Sequence, residues 1–355
     1  MMRAGTKRRV GLFLRGLILG VMIGAAWGTV AGLAFLGAGG LLYGALNGAI
    51  NVILIVAVIG GIEIFLPPTR LGYALERAPF LVTSAVRWLV YSAVILLVIG
   101  GRVGRRVAAP ALLGPELAQA LDQQTSRTLL SIAFAFVVAS AFLVVLQMSR
   151  LIGERTLRDV VLGRYHRSRR GERFFLFVDV AGSTPLAERI GPDAVHRFLG
   201  EVFRLASDPI DDHHGEVYQY VGDEIVITWT VADGRDDARP LACFFAIQQA
   251  LEGTAPDFER EFGAVPRLRA ALHAGPVIAG EVGGSRRAIV YHGDVMNTTS
   301  RLEQATRDLD RQFLVSGDAL DRLDAVGAYP LEDLGLQQLR GRAAPVHVYA
   351  VAAKQ

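Results

Sequence analysis

Hydrophobic length is the strongest constraint in this 355-residue chain: before residue 152 it carries four apolar stretches, each long enough for a bilayer. They run over about Gly11–Phe35, Leu41–Leu66, Phe80–Gly101 and Thr128–Leu151. Crossing a hydrocarbon core takes roughly 20 helical residues. Beyond these stretches the sequence has the mixed polarity of a soluble domain. The chain therefore reads as an all-α four-helix transmembrane domain over 1–151, a juxtamembrane linker helix over 152–172 and a soluble domain over 173–355.

The first stretch fits a cleavable signal peptide poorly, because it is long and runs almost directly into a second apolar run. Arg3, Lys7, Arg8 and Arg9 precede it, and no charge separates it from the second. Basic residues favour the cytoplasmic side, so the N-terminus is placed in the cytoplasm and four spans return the soluble domain there. The expected location is the cell inner membrane, multi-pass, in contact with the lipid bilayer. Arg102, Arg105 and Arg106 run against this arrangement, which puts their connection outside.

Gly16, Gly20, Gly24, Gly28 and Gly32 recur every fourth residue, and Gly40, Gly44 and Gly48 continue the habit. At helical spacing they line one face where backbones can approach closely. Glu63 and Arg87 lie inside spans, where an ionisable group is costly unless paired or near an interface. They pair with each other or mark a ligand pocket; the sequence leaves both open. Leu151, Leu157, Val160 and Val161 sketch an apolar stripe after the last span, read as a solvated linker or as a parallel helix pair joining two protomers.

Composition narrows the soluble part. A net charge of +3 gives no basic nucleic-acid surface. A single cysteine, Cys243, excludes an intramolecular disulfide and sits in an apolar run as packing. His213 and His214 have no further ligand at zinc-site spacing. Four spans without a repeat or broken-helix pattern argue against a transporter.

Three elements carry chemistry. VYQYVGDEIVITW, Val217 to Trp229, reads as two strands around a Gly222-Asp223 turn. FFLFVDVAGST, Phe174 to Thr184, reads as a buried strand with Asp179 towards its end, then a Gly-Ser turn, then Thr184 as a helix cap before Pro185. A strand-end carboxylate beside amides and a helix N-terminus suits a cation with phosphates. Asp179 and Asp223 would then converge on the same cations. GDVMNTTSRLE, Gly293 to Glu303, puts Asp294 as a helix cap and Asn297 and Arg301 four apart on one face. A polar group beside a fixed cation suits charge building at phosphorus.

Together with LRAALHAGPVIAGEVG and LRGRAAPVHVYAV, in this order over about Arg173 to Ala352, these segments resemble the catalytic domain of class III nucleotidyl cyclases. The anchor ahead of one such domain resembles the bacterial membrane-anchored type. The resemblance implies an α+β ferredoxin-like fold and a homodimer with its active site at the interface. Asp179, Asp223 and the Val180 carbonyl would bind two Mg2+ or Mn2+ ions. Gly182, Ser183 and Thr184 would face the nucleotide phosphates, with Arg342 near a basic phosphate-binding position. Asn297 and Arg301 of the partner chain would orient the ribose and stabilise the phosphoryl group. The implied enzyme is a phosphorus–oxygen lyase that converts ATP, with GTP as the other possible substrate, to a 3′,5′-cyclic nucleotide and pyrophosphate.

The base pocket departs from the family. Adenylate-making members usually place a lysine four residues before the second metal aspartate and an acid or threonine seven before the asparagine. Gln219 and Val290 stand there, and the guanylate-making pattern is absent too. ATP remains the favoured substrate, because a relaxed purine pocket is a smaller change than a switch of base. The competing readings are a guanylate cyclase and an inactive nucleotide-binding module. A diguanylate cyclase signature would need other residues where Val221 and Ile225 flank the acidic pair.

Overall fold

In the computed structural model, residues 168–283, 288–342 and 344–354 are described, with residues 20–30, 41–65, 80–108 and a few single helical positions in the N-terminal half. The chain divides into two compact units, Met1–Ile152 and Gly153–Gln355.

In the first unit, α1 covers Leu41–Phe65 and α2 covers Phe80–Ala108. Helix α2 continues through Arg102, Arg105 and Arg106, the residues that the sequence assigns to the third connection. Among the described residues no helix is long and apolar enough to cross a membrane. The side chains of α1 are described without a break only over 48–59 and those of α2 only over 82–97.

Glycine decides one contact in this unit. A Cβ on Gly48 would collide with the carbonyl oxygen of Gly24 and lie 3.1 Å from the Gly28 Cα. The helical segment around Gly24 thus crosses α1 backbone to backbone, as the every-fourth-residue pattern implies. Trp88 of α2 meets Phe136 edge-on at 5.2 Å. Gly16, Gly32, Gly40, the Glu63 side chain and residues 153–167 of the linker helix lie outside the described residues.

The second unit is built on β1, Arg169–Val180, whose last eight residues are all buried. Its side chains alternate between two faces. Phe174, Leu176 and Val178 join one core, and Phe175 and Phe177 join another. Helices α3 (Ser183–Ile190) and α4 (Pro192–Asp212) follow, then the hairpin β2 (Glu216–Val221) and β3 (Glu224–Thr230). After α5 (Arg239–Glu252) and α6 (Ala255–Phe262) come β4 (Leu268–Val282) and β5 (Ala288–His292). Helix α7 (Asp294–Asp308) leads into β6 (Phe313–Ser316), β7 (Leu331–Gln337) and β8 (Val346–Val351).

The sheet order is β2-β3-β1-β4-β6-β8-β7, with β5 added to β4. Strand β1 is antiparallel to both β3 and β4, and β4–β6 is the parallel pair. The first four strands thus form the ferredoxin-like β-α-β-β-α-β arrangement. On one face α4, α5 and α6 pack through Phe198, Val202, Phe244, Ile247 and Phe258. On the other, α7 packs through Val295 and Leu302. Large side chains of β1 are buried on both faces of the sheet, and the site hangs from its C-terminal end.

Candidate active site

Two local choices bring Asp179 and Asp223 together. Gly222, at φ 62°, makes the tight turn between β2 and β3, where a side chain would be strained. The β1–β3 pairing then sets Asp179 directly across from Glu224. The Val180 N–H donates to the Asp223 carbonyl at 3.3 Å, so the strand end and the hairpin tip are tied. Ser183 Oγ donates to Asp223 Oδ2.

The turn after β1 differs from the expectation. Helix α3 begins at Ser183 and its cap is Gly182, in the left-handed region at φ 77°. Thr184 is therefore inside the first turn and is not the cap. Only glycine takes that backbone conformation freely, and it frees Ser183 to reach Asp223.

Two more carboxylates share the site. Glu224 follows Asp223, and Glu303 projects from the buried face of α7. Arg307, one turn on from Glu303, donates from Nη2 to Asp179 Oδ2 at 3.2 Å and lies 3.6 Å from Glu303 Oε1. Glu303 Oε1 is buried and makes no hydrogen bond. Burial first, and then the Asp223 charge, hold Asp179 above the usual carboxylate range against the pull of Arg307. Burial, then Glu303, Asp179 and Asp223, push Glu224 up to about 7. Glu303 is raised by burial first and then by Asp179, while Arg307 and Arg269 oppose the rise. So much acid with so little compensation is a cation-seeking environment.

Among the described residues no group of three or more His, Cys, Asp or Glu is arranged to hold a metal ion by itself. A phosphate-bound cation needs no such cage, since one or two carboxylates suffice when phosphates and water supply the other oxygens. The paired Asp179 and Asp223, with the unsatisfied Glu303 Oε1 behind them, fit that case.

Asn297 and Arg301 lie elsewhere in the same chain. With Ser300, Gln304 and Arg340 they line an open depression on the outer face of α7. At 3.6 residues per turn, Glu303 points about 120° from Asn297 and about 160° from Arg301. One α7 thus offers Glu303 to its own acid cluster and Asn297 with Arg301 in another direction.

A family model described as the adenylate and guanylate cyclase catalytic domain matches residues 168–353, just over half of the chain. The chain belongs to this family. It is 39% identical over 222 residues to Adenylate cyclase 2 of Rhizobium meliloti (strain 1021), covering 62% of this chain and 61% of that protein. To Adenylate cyclase 1 of the same strain it is 30% identical over 182 residues, covering 50% of this chain and 27% of that protein. A structure of a bacterial light-regulated adenylyl cyclase superposes with a TM-score of 0.52 at 21% identity, over 61% of this chain and 65% of that one. That likeness shows the fold. The chain spans less than two thirds of each of these relatives.

Within this class III cyclase domain the remaining expected positions are dispersed. Gln219 is exposed on β2, next to a register shift after Val217, while Val290 is half-buried on β5. Their strands are not neighbours in the sheet. Arg173 steadies both regions: it hydrogen-bonds Glu216 at 2.6 Å and stacks over Tyr291 at 4.9 Å. Arg342 donates to Thr298 Oγ1 and lies 3.6 Å from Asp294 Oδ2, so its charge is engaged at the start of α7. It is Arg340, two residues earlier, that lines the depression with Asn297 and Arg301. Asp294 is the first residue of α7 and Gly293 its cap, so Asp294 serves as a partner for Thr298 and Arg342 instead.

Sequence reasoning missed Glu224, Glu303, Arg307 and Arg340. Glu224 was visible as the neighbour of Asp223, and Glu303 and Arg307 as an i, i+4 acid–base pair on one helix.

Proposed function

We propose that this protein is a membrane-anchored adenylate cyclase, forming 3′,5′-cyclic AMP and pyrophosphate from ATP. The observation that carries the reading is the convergence of Asp179 and Asp223, one from a strand end and one from a hairpin tip, at the end of a cyclase-family sheet. Likeness to the two Rhizobium meliloti adenylate cyclases favours ATP over GTP.

Asp179, Asp223 and the Val180 carbonyl would hold divalent cations, Mg2+ or Mn2+. Such ions supply charge neutralisation at the phosphates and make a ribose hydroxyl a better nucleophile. The chain's own residues do the rest. Gly182, Ser183 and Thr184 present the start of α3, whose free N–H groups suit phosphate oxygens. Arg301 would bind the phosphoryl oxygens as negative charge grows, and Asn297 would orient the ribose. The outward aim of this pair supports a homodimer in which each site takes its acids from one chain and Asn297 with Arg301 from the other.

Membrane attachment rests on the four apolar stretches of the sequence. The location proposed is the cell inner membrane, with the catalytic domain on the cytoplasmic side.

The test is turnover by the purified full-length chain with Mn2+, given ATP and GTP in parallel. Cyclic AMP with stoichiometric pyrophosphate is the expected product. Cyclic GMP formed from GTP in preference would make it a guanylate cyclase, and no cyclic product from either would favour a nucleotide-binding module. The departures at Gln219 and Val290 support that module as the second reading. Fractionation with membranes after carbonate extraction is expected, and recovery in the soluble fraction would sink the anchor.

A further inference from the structure

We propose that Arg307 is an internal counter-cation of the acid cluster, and that a divalent ion must displace it from Asp179 in order to bind. The inference rests on the cation reading of Asp179 and Asp223 and adds a residue that tunes it.

The geometry is specific. Arg307 Nη2 donates to Asp179 Oδ2 at 3.2 Å and sits 3.6 Å from Glu303 Oε1, so one guanidinium bridges two carboxylates from β1 and α7. Asp179 and Glu303 are each 8% exposed at the side chain, whereas Arg307 is 57% exposed. The acids are thus fixed in the protein while the cation that covers them reaches in from solvent. A long side chain anchored in this way swings away without disturbing the core. Asp179, Asp223, Glu224 and Glu303 otherwise repel one another, because all four enter the electrostatics of this small volume.

A divalent ion at Asp179 and an arginine on the same oxygen compete for one charge. Two consequences follow. Before an ion binds, the acid cluster keeps its order because Arg307 offsets part of the repulsion. Cation binding is weaker than the carboxylates alone would give, so Arg307 sets the ion concentration at which the site fills. Arg307 is accordingly a positioning residue; nothing requires it to touch the nucleotide.

The experiment is Mn2+ binding to the full-length chain without nucleotide, read from the spectrum of free Mn2+ by electron paramagnetic resonance. Arg307→Gln should lower the half-saturating Mn2+ concentration roughly two- to fivefold, the range set by loss of one half-exposed ion pair. Arg307→Lys, which keeps the charge, should stay near wild type. Equal or weaker binding by a folded Arg307→Gln chain would overturn the inference. A second readout uses the unaltered protein. Modification by an arginine-selective dicarbonyl, mapped by mass spectrometry, should become faster at Arg307 when Mn2+ is added. Unchanged labelling would overturn the proposal even if Arg307→Gln fails to fold. Asp179→Ala separates the two levels of argument. If it binds Mn2+ as wild type does, the cation site itself is wrong; if binding is lost but Arg307 has no effect, only the counter-cation role fails.

Discussion

The backbone N–H of Val180 donates to the carbonyl of Asp223 at 3.3 Å, joining the end of the central strand to the tip of a hairpin. That link places two aspartates 44 positions apart in sequence at one point of the sheet. It also costs something, since the acids crowd together in a half-buried place. The first prediction tests this cost.

Asp179→Asn keeps the shape of the side chain and removes a charge that burial and Asp223 already disfavour. Folding stability should hold or rise slightly, while cyclic nucleotide formation falls by at least about 100-fold, as expected for a lost catalytic cation ligand. Thermal melting and turnover of the same preparation check both halves. A clear loss of stability would show that the pair with Arg307 outweighs the repulsion.

Stability should also depend on pH in a particular direction. Glu224 is pushed up to about 7 in the folded chain, from 4.5 when free, so between these values the folded state holds a proton that the unfolded state has released. A folded state that binds more protons loses stability as pH rises. Glu303 and Asp179 are shifted the same way. Cation-free melting temperature should therefore decline between about pH 5 and pH 8, and the decline should be shallower in Glu224→Gln. Parallel profiles for the two proteins would remove Glu224 from the account.

Much of this was legible in the sequence. The hairpin around Gly222-Asp223 and the strand ending at Asp179 follow from local alternation and turn chemistry, whereas their convergence is set by the β1–β3 pairing. The three further members of the cluster were harder to read. Glu224 meets Asp179 only through the β1–β3 register, and Glu303 and Arg307 only through the angle at which α7 crosses the sheet. Those are tertiary facts. The cap of α3 was misplaced for a different reason: Thr184-Pro185 is a good local signal, but Gly182 in the left-handed region starts the helix earlier. Arg340 and Arg342 share a motif, and only their packing shows that Arg342 is taken by Thr298 and Asp294.

The glycine crossing in the N-terminal unit gives a third prediction. Gly48 has the Gly24 carbonyl where a Cβ would stand. Gly48→Val should therefore force the two helices apart, at a cost of roughly 1–3 kcal/mol. Thermal unfolding of the full chain in detergent, followed by helical circular dichroism, should show the loss in an early transition. The later transition of the cyclase domain should not move. A Gly48→Val chain that melts as wild type does would mean that these backbones are not in close contact.

The last prediction concerns the division of labour between chains. Within one chain α7 turns Glu303 towards Asp179 and sends Asn297 and Arg301 into a separate outward depression. If two chains pair head to tail, two-fold symmetry gives two sites, each with the acids of one protomer and the Asn297–Arg301 face of the other. Asp179→Ala and Arg301→Ala homodimers should then both be inactive, because each damages both sites. Mixed dimers would carry both lesions in one site and leave the other intact. Co-expression should restore up to about half of wild-type activity per mixed dimer if the sites act independently. Differently tagged chains, purified through both tags and assayed for cyclic nucleotide, isolate the mixed species. Mixed dimers that form yet stay inactive would place the whole site within one chain, and the outward face of α7 would then need another role.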